Sequence, residues 1–324
     1  MVDEIVTGIY RIEVPLPKNP LKYINSYLVR GTERCLLVDT GLNRPECLEA
    51  LRNGLAELNV DMNQTDIFIT HMHADHSGLA GVLKNTGNRA YASALDGNVI
   101  NHFGREHWDR LATCAKHQGF DPDLLETAIT RHPGFRGGNK DMIDFHFVSD
   151  GDVLEYGDFQ FSCIAAPGHT AGHICLYEPN QRILFAGDNI LNDITPNITA
   201  WAERENPLAE YHASLDKLEK LAIDLVLPAH RTQIADWRAR VAELKHHHEL
   251  RLAEVETILR QGEFSAYQVA ARMSWDIRCN SFDEFPVPQK WFATGEAIAH
   301  IRYLEEAGRV RRTVNDPIAF FKAV

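Results

Sequence analysis

Short apolar runs that end in turn residues recur along the first two thirds of the chain. Residues 5–14, 26–30, 35–38 and 66–70 read as strands, with Pro15, Pro17 and Pro20 separating the first two. Residues 145–148, 159–164, 182–186 and 225–229 repeat the pattern. Between them lie stretches of helical period. Residues 45–58 read as a helix with Pro45 in its first turn, and residues 77–83 as a helix start. Strands alternating with helices predict an α/β domain.

The span 93–147 breaks this rhythm. Residues 96–115 have helical spacing, and Asp121-Pro122-Asp123-Leu124 resembles a capped helix start. An irregular basic piece follows, from Arg131 to Lys140. The span reads as a largely helical insertion that covers the loop after residue 70. Beyond residue 237 three helical stretches are expected at 249–260, 265–272 and 294–304, then a strand at 309–314. Two domains are therefore expected, 1–237 and 238–324.

Composition narrows the field. The chain has 324 residues and a net charge of −12. Residues 1–237 carry 20 basic against 33 acidic residues, and residues 238–324 carry 13 against 12. An acidic main body argues against tight binding to a phosphate backbone, which needs clustered Lys and Arg. No apolar run approaches the ~20 residues of a membrane span, and the acidic N-terminus lacks the pattern of a secretory signal. The six cysteines are scattered without a C-x-x-C pair, which suits free thiols in a cytoplasmic protein.

The candidate chemistry sits at strand ends. His71-Met72-His73-Ala74-Asp75-His76 places three imidazoles and a carboxylate within six positions. Neutral imidazole and carboxylate are the ligands that zinc-type cations take. His71 and His73 alternate and can serve one cation, while Asp75 and His76 are offset toward a second. His169, Asp188 and His230 each follow a further hydrophobic strand. Four strands ending at ligand-type residues point to convergence on one site. Asp39, at the end of residues 35–38, is either a turn residue or a carboxylate that steadies a metal-bound histidine. His173 lies close enough to His169 for a similar role. His212 and His300 read as structural, and His246-His247-His248 as a solvated helix face. Arg131, Arg136 and Lys140 form either a solvated loop or a receiver for an anionic part of the substrate.

Val38-Asp39-Thr40-Gly41, His71-x-His73-x-Asp75-His76, Pro167-Gly168-His169-Thr170, Gly187-Asp188 and Pro228-Ala229-His230 together resemble the metallo-β-lactamase superfamily. The resemblance implies an αβ/βα four-layer sandwich with two divalent metal ions at one edge. Zn2+ heads the choice, with Mn2+ or Fe as alternatives. His71, His73 and His169 would hold one ion and Asp75, His76 and His230 the other, with Asp188 bridging. The ligand set is similar to the hydroxyacylglutathione-hydrolase-like branch. Residues 238–324 resemble the winged-helix tail of the β-lactamase-like 2 proteins, with a packing or homodimer-forming role favoured over nucleic-acid binding. The implied activity is a binuclear metal-dependent hydrolase. A metal-bridging hydroxide would attack a small ester or thioester carbonyl, with Asp75 steering the proton. The substrate would be a small molecule, with an anionic group as one option. A phosphodiesterase or ribonuclease of the same fold is the alternative.

Overall fold

The computed structural model describes residues 1–201 and 205–324. The chain divides into two compact units. The first comprises Met1–Phe103, Gly137–Pro196 and Ser214–Arg240, and the second comprises Gly104–Arg136, Asn197–Ala213 and Val241–Val324.

Two sheets form the first unit. One holds seven strands in chain order: β1 (Val2–Val6), β2 (Ile9–Pro15), β3 (Tyr23–Arg30), β4 (Cys35–Val38), β5 (Thr65–Phe68), β6 (Ala90–Ser93) and β7 (Phe145–Val148). Strands β1 to β4 pair antiparallel and β4 to β7 pair parallel. The other sheet holds β8 (Val153–Tyr156), β9 (Phe159–Ala165), β10 (Ile174–Glu178), β11 (Ile183–Gly187) and β12 (Leu225–Pro228), in the order β12-β11-β10-β9-β8.

Side-chain alternation explains why these sheets pack as they do. Leu28, Leu37 and Ile67 turn one way, into a core with Cys47, Leu51 and Leu55 of the Pro45–Glu57 helix. Their neighbours Tyr27, Val29, Leu36, Val38 and Phe68 turn the other way. There they meet Phe161, Cys163, Leu176, Phe185 and Leu227 of the second sheet. Period-2 burial on both faces gives the helix–sheet–sheet layering expected of an αβ/βα sandwich.

The structure departs from the sequence reading in places. Residues 5–14 are a hairpin, because the chain turns at Thr7-Gly8 between β1 and β2. Residues 96–115 are two helices, Ala94–Asn101 and Arg105–His117. Helix continues through Pro133–Gly137, in a stretch read as irregular. Strands β6, β8 and β10 are absent from the sequence reading, and all five positions of β10 are buried. Such a strand has no polar alternation to mark it.

The second unit has its own aromatic core. Ala115, Phe120, Leu125, Ala128 and Trp291 are buried together, and Trp201 stacks on Trp291 at 4.3 Å between ring centroids. This packing ties residues 104–136, expected as an insertion on the first domain, to residues 197–213 and 241–324. The Val287–Glu306 helix leads into an antiparallel hairpin, β13 (Val310–Asn315) with β14 (Ile318–Ala323). His248 corrects one expectation. His246 is exposed, but His248 is fully buried and lies 3.2 Å from Nε2 of His300 through its own Nδ1. No helix is long and apolar enough to cross a membrane among the described residues.

Candidate metal centre

All seven ligand-type side chains lie in the first unit, beyond the ends of strands, with Asp75 and His76 on the short helix Ala74–Ser77. His71, His73, Asp75 and His76 follow β5, His169 follows β9, Asp188 follows β11 and His230 follows β12. Loops beyond strand ends are where α/β folds gather chemistry, since strand hydrogen bonding fixes their roots and leaves the tips free.

The loops bring these side chains into three overlapping groups. His71, His73 and His169 form one, His71, His76 and Asp188 a second, and Asp75, His76 and His230 a third. Within each group the ligand atoms lie within 4.8 Å of one another. Asp188 faces both ends of the cluster. Its Oδ2 is 3.5 Å from Nε2 of His169. Its Oδ1 is 3.6 Å from Nε2 of His76 and 3.5 Å from Nε2 of His230. Asp75 Oδ2 lies 3.3 Å from the same nitrogen of His230.

A second set of contacts fixes which ring nitrogen faces inward. His76 Nδ1 meets Asp39 Oδ2 at 2.7 Å, so Nε2 is the atom turned to Asp188. Asp39 also accepts the Thr70 amide at 2.9 Å and the Thr70 hydroxyl. That hydroxyl lies 3.1 Å from His71 Nδ1, which again leaves Nε2 inward. His230 Nδ1 donates to the Tyr23 carbonyl at 3.0 Å. Asn25 holds the same loop by donating to the carbonyls of Pro228 and Arg231. His173 Nε2 accepts the Asp188 amide at 3.2 Å. Gly187 permits that approach, since a Cβ there would stand 2.6 Å from His173 Nε2 and its φ is +53°. Hydrogen bonds of this kind orient ligand side chains and set imidazole tautomers.

Electrostatics divides the cluster. Burial, reinforced by neighbouring imidazoles, pushes His71 well below its ordinary pKa and His73 down to about 3. Both are neutral, with lone pairs available. At the other end burial acts against His76 and His230, but the carboxylates outweigh it and raise both. Burial likewise acts to raise Asp75 and Asp188, and the facing imidazoles outweigh it and hold both carboxylates ionised. Nε2 of His76 and Oδ1 of Asp188 are buried without a hydrogen-bond partner. Unpartnered buried nitrogen and oxygen atoms in a cluster of imidazole and carboxylate are what a divalent cation satisfies, taking the place of a proton on the imidazole. The donor set therefore fits the implied metal.

Of the remaining sequence candidates, Asp39 and His173 touch the ligands as described. Arg131 and Arg136 belong to the second unit and Lys140 to the first, and all three are exposed. Sequence reasoning assigned no role to Thr70, Asn25 or the Tyr23 carbonyl. A backbone oxygen leaves no sequence signal, and a buried Thr or Asn at a strand end reads as a turn residue.

Comparison with known proteins agrees with this geometry. Residues 20–230 match the Metallo-beta-lactamase superfamily, and residues 252–324 match the family described as Metallo-beta-lactamase-like, C-terminal domain. The probable metallo-hydrolase YqjP of Bacillus subtilis is 27% identical over 263 residues, covering 76% of this chain and 79% of the relative. The acyl-coenzyme A thioesterase MBLAC2 of Bos taurus is 28% identical over 223 residues, covering 64% of this chain and 72% of the relative. The crystal structure of the metallo-beta-lactamase family protein TTHA1429 from Thermus thermophilus superposes with a TM-score of 0.82 at 29% identity, over 99% of this chain and all of that one. With most of its first unit matched and its fold shared, the chain belongs to the metallo-beta-lactamase superfamily, as a metallo-hydrolase.

Proposed function

We propose that the protein is a binuclear metal-dependent thioesterase acting on acyl groups carried by a large anionic thiol. One observation carries the reading. Two ligand groups, three imidazoles and two imidazoles with a carboxylate, share Asp188, whose two oxygens face one group each. His71, His73 and His169 would hold one divalent ion, and Asp75, His76 and His230 the other. Nitrogen and oxygen ligands without thiolate suit Zn2+, with Mn2+ and Fe as alternatives. Ions bound there would lower the pKa of a coordinated water toward about 7 and polarise a carbonyl oxygen.

The chain's own residues do the rest. Asp39, Thr70, Tyr23 and Asn25 hold the imidazoles in register, so little reorganisation is needed as charge develops. Asp75, kept ionised and only half-buried, takes the proton of the attacking water on its carboxylate. No serine or cysteine nucleophile is required.

Two features support a thioester substrate. The MBLAC2 relatives are described as acyl-coenzyme A thioesterases. Lys140, in the first unit, supplies exposed positive charge for an anionic carrier. Residues 238–324 we read as a winged helix, with the β13–β14 hairpin as its wing and packing rather than nucleic-acid binding as its role.

The test is a substrate panel with zinc-reconstituted protein: acyl-coenzyme A thioesters of several chain lengths, aryl esters and an aryl phosphodiester. Thioester turnover that vanishes on chelation is the expected result. Phosphodiester turnover without thioester turnover would replace this reading with a phosphodiesterase.

A further inference from the structure

Asp96 stands apart from the proposed ligands and from the contacts that orient them. It is the third residue of the Ala94–Asn101 helix, which begins directly after β6. The Ser93 hydroxyl caps that helix by accepting the Asp96 amide. This local pattern explains why an acid occupies the position, since the first turn of a helix favours negative charge. It does not explain where the carboxylate goes. The side chain is 3% exposed, and its oxygens accept three hydrogen bonds, none from its own helix. Oδ2 takes the Met72 amide at 2.9 Å and the Thr170 hydroxyl at 2.6 Å. Oδ1 takes the Gly172 amide at 2.9 Å.

The positions of those donors matter. Met72 lies between His71 and His73. Thr170 adjoins His169, and Gly172 adjoins His173. One carboxylate therefore joins the loop after β5 to the loop after β9, two segments about a hundred residues apart that carry the whole three-imidazole group. Gly172 is part of the device. A Cβ there would collide with Ser93 Oγ and stand 2.6 Å from Asp96 Oδ1. Only a bare backbone lets the amide reach the carboxylate.

We propose that Asp96 is the positioning residue of the three-imidazole group: its carboxylate clamps the His71–His73 loop to the His169–His173 loop and so sets the spacing of His71, His73 and His169. The proposal rests on the metal reading of those histidines given above. A carboxylate is required because it offers two acceptor atoms to three donors. An amide offers one acceptor oxygen. Turned toward Met72 and Thr170, it would set its NH2 against the Gly172 amide; turned the other way, it would oppose Met72 and Thr170.

The experiment uses the full chain, stripped of metal and titrated with Co2+, with affinity and the visible ligand-field spectrum recorded. Wild type is compared with Asp96→Asn, Thr170→Val and Thr170→Ser. The clamp predicts affinity lowered about 10- to 100-fold in Asp96→Asn and Thr170→Val. It also predicts an altered spectrum in both and recovery of both properties in Thr170→Ser, which keeps the hydroxyl. Hydrogen exchange should accelerate at the amides of Met72 or Gly172 in Asp96→Asn. Should that variant fail to fold, the Thr170→Val and Thr170→Ser pair decides alone. Wild-type affinity and spectrum in the folded Asp96→Asn or in Thr170→Val overturn the proposal. A wild-type chain that binds no Co2+ overturns the metal reading itself, an outcome visible before any variant is made.

Discussion

Asp188 faces both ends of the cluster. Its two oxygens address different histidines, and its amide is anchored by His173. Asp188→Asn keeps the shape and removes the charge that draws cations to both groups. An amide also replaces one acceptor oxygen with a donor that faces nitrogen lone pairs. The expected outcome is metal content at least halved after dialysis, with turnover down about 10- to 100-fold or more. Elemental analysis and circular dichroism measure the two halves of that statement. A variant that retains the wild-type metal complement would contradict the bridging role. The seven clustered side chains were legible because histidine and aspartate after a hydrophobic strand carry a chemical signature. Asp96 was not, because an acid in the first turn of a helix is what any helix start can contain.

At the scale of elements, strands with a polar neighbour or a terminal ligand were easy to read, and β4 and β7 match the expected bounds. Fully buried β10 was missed because nothing in its composition alternates. The buried His248–His300 pair was missed for a related reason. His246, His247 and His248 look alike in sequence, and only packing decides which one turns inward. His300 Nδ1 donates to the Glu296 carbonyl at 2.8 Å, so its Nε2 accepts from His248 Nδ1. His300 must be neutral to accept at Nε2, and burial keeps His248 neutral beside it. Burial first, then nearby His212, His247 and Arg251, lowers His248 to about 2 and His300 to about 3. In the unfolded chain both titrate near ~6.5. Between these values the unfolded state binds more protons, so stability is full above about pH 6.5 and falls as pH falls. Urea unfolding at pH 7.5, 5.5 and 4.5 should show that loss. It should be shallower in a His248→Leu, His300→Leu double variant. Equal slopes in the two proteins would show that the pair is not the source.

For the molecule as a whole, the architecture of the first unit followed from period-2 burial, whereas the composition of the second did not follow from any local pattern. Residues 104–136 share a core with segments about 60 and 100 residues further on, and such partnerships are written in volumes rather than in periodicity. The first unit also carries a cost that its sheets alone do not offset. It buries five imidazoles together with the carboxylates of Asp39 and Asp188, with leftover polar atoms on His76 and Asp188. Unpaired buried polar groups destabilise a fold, so the proposed ions would act as structural as well as catalytic partners. An ion that binds only the folded state adds about 2.7 kcal/mol when its free concentration is 100 times its Kd. Metal-free protein should therefore unfold several degrees below the zinc-loaded form in a thermal scan. Asp188→Asn should narrow that gap, because it removes charge from both ligand groups at once. Coincident melting curves with and without zinc would show that the cluster gains no stability from a cation, and the proposed hydrolysis would lose its physical basis.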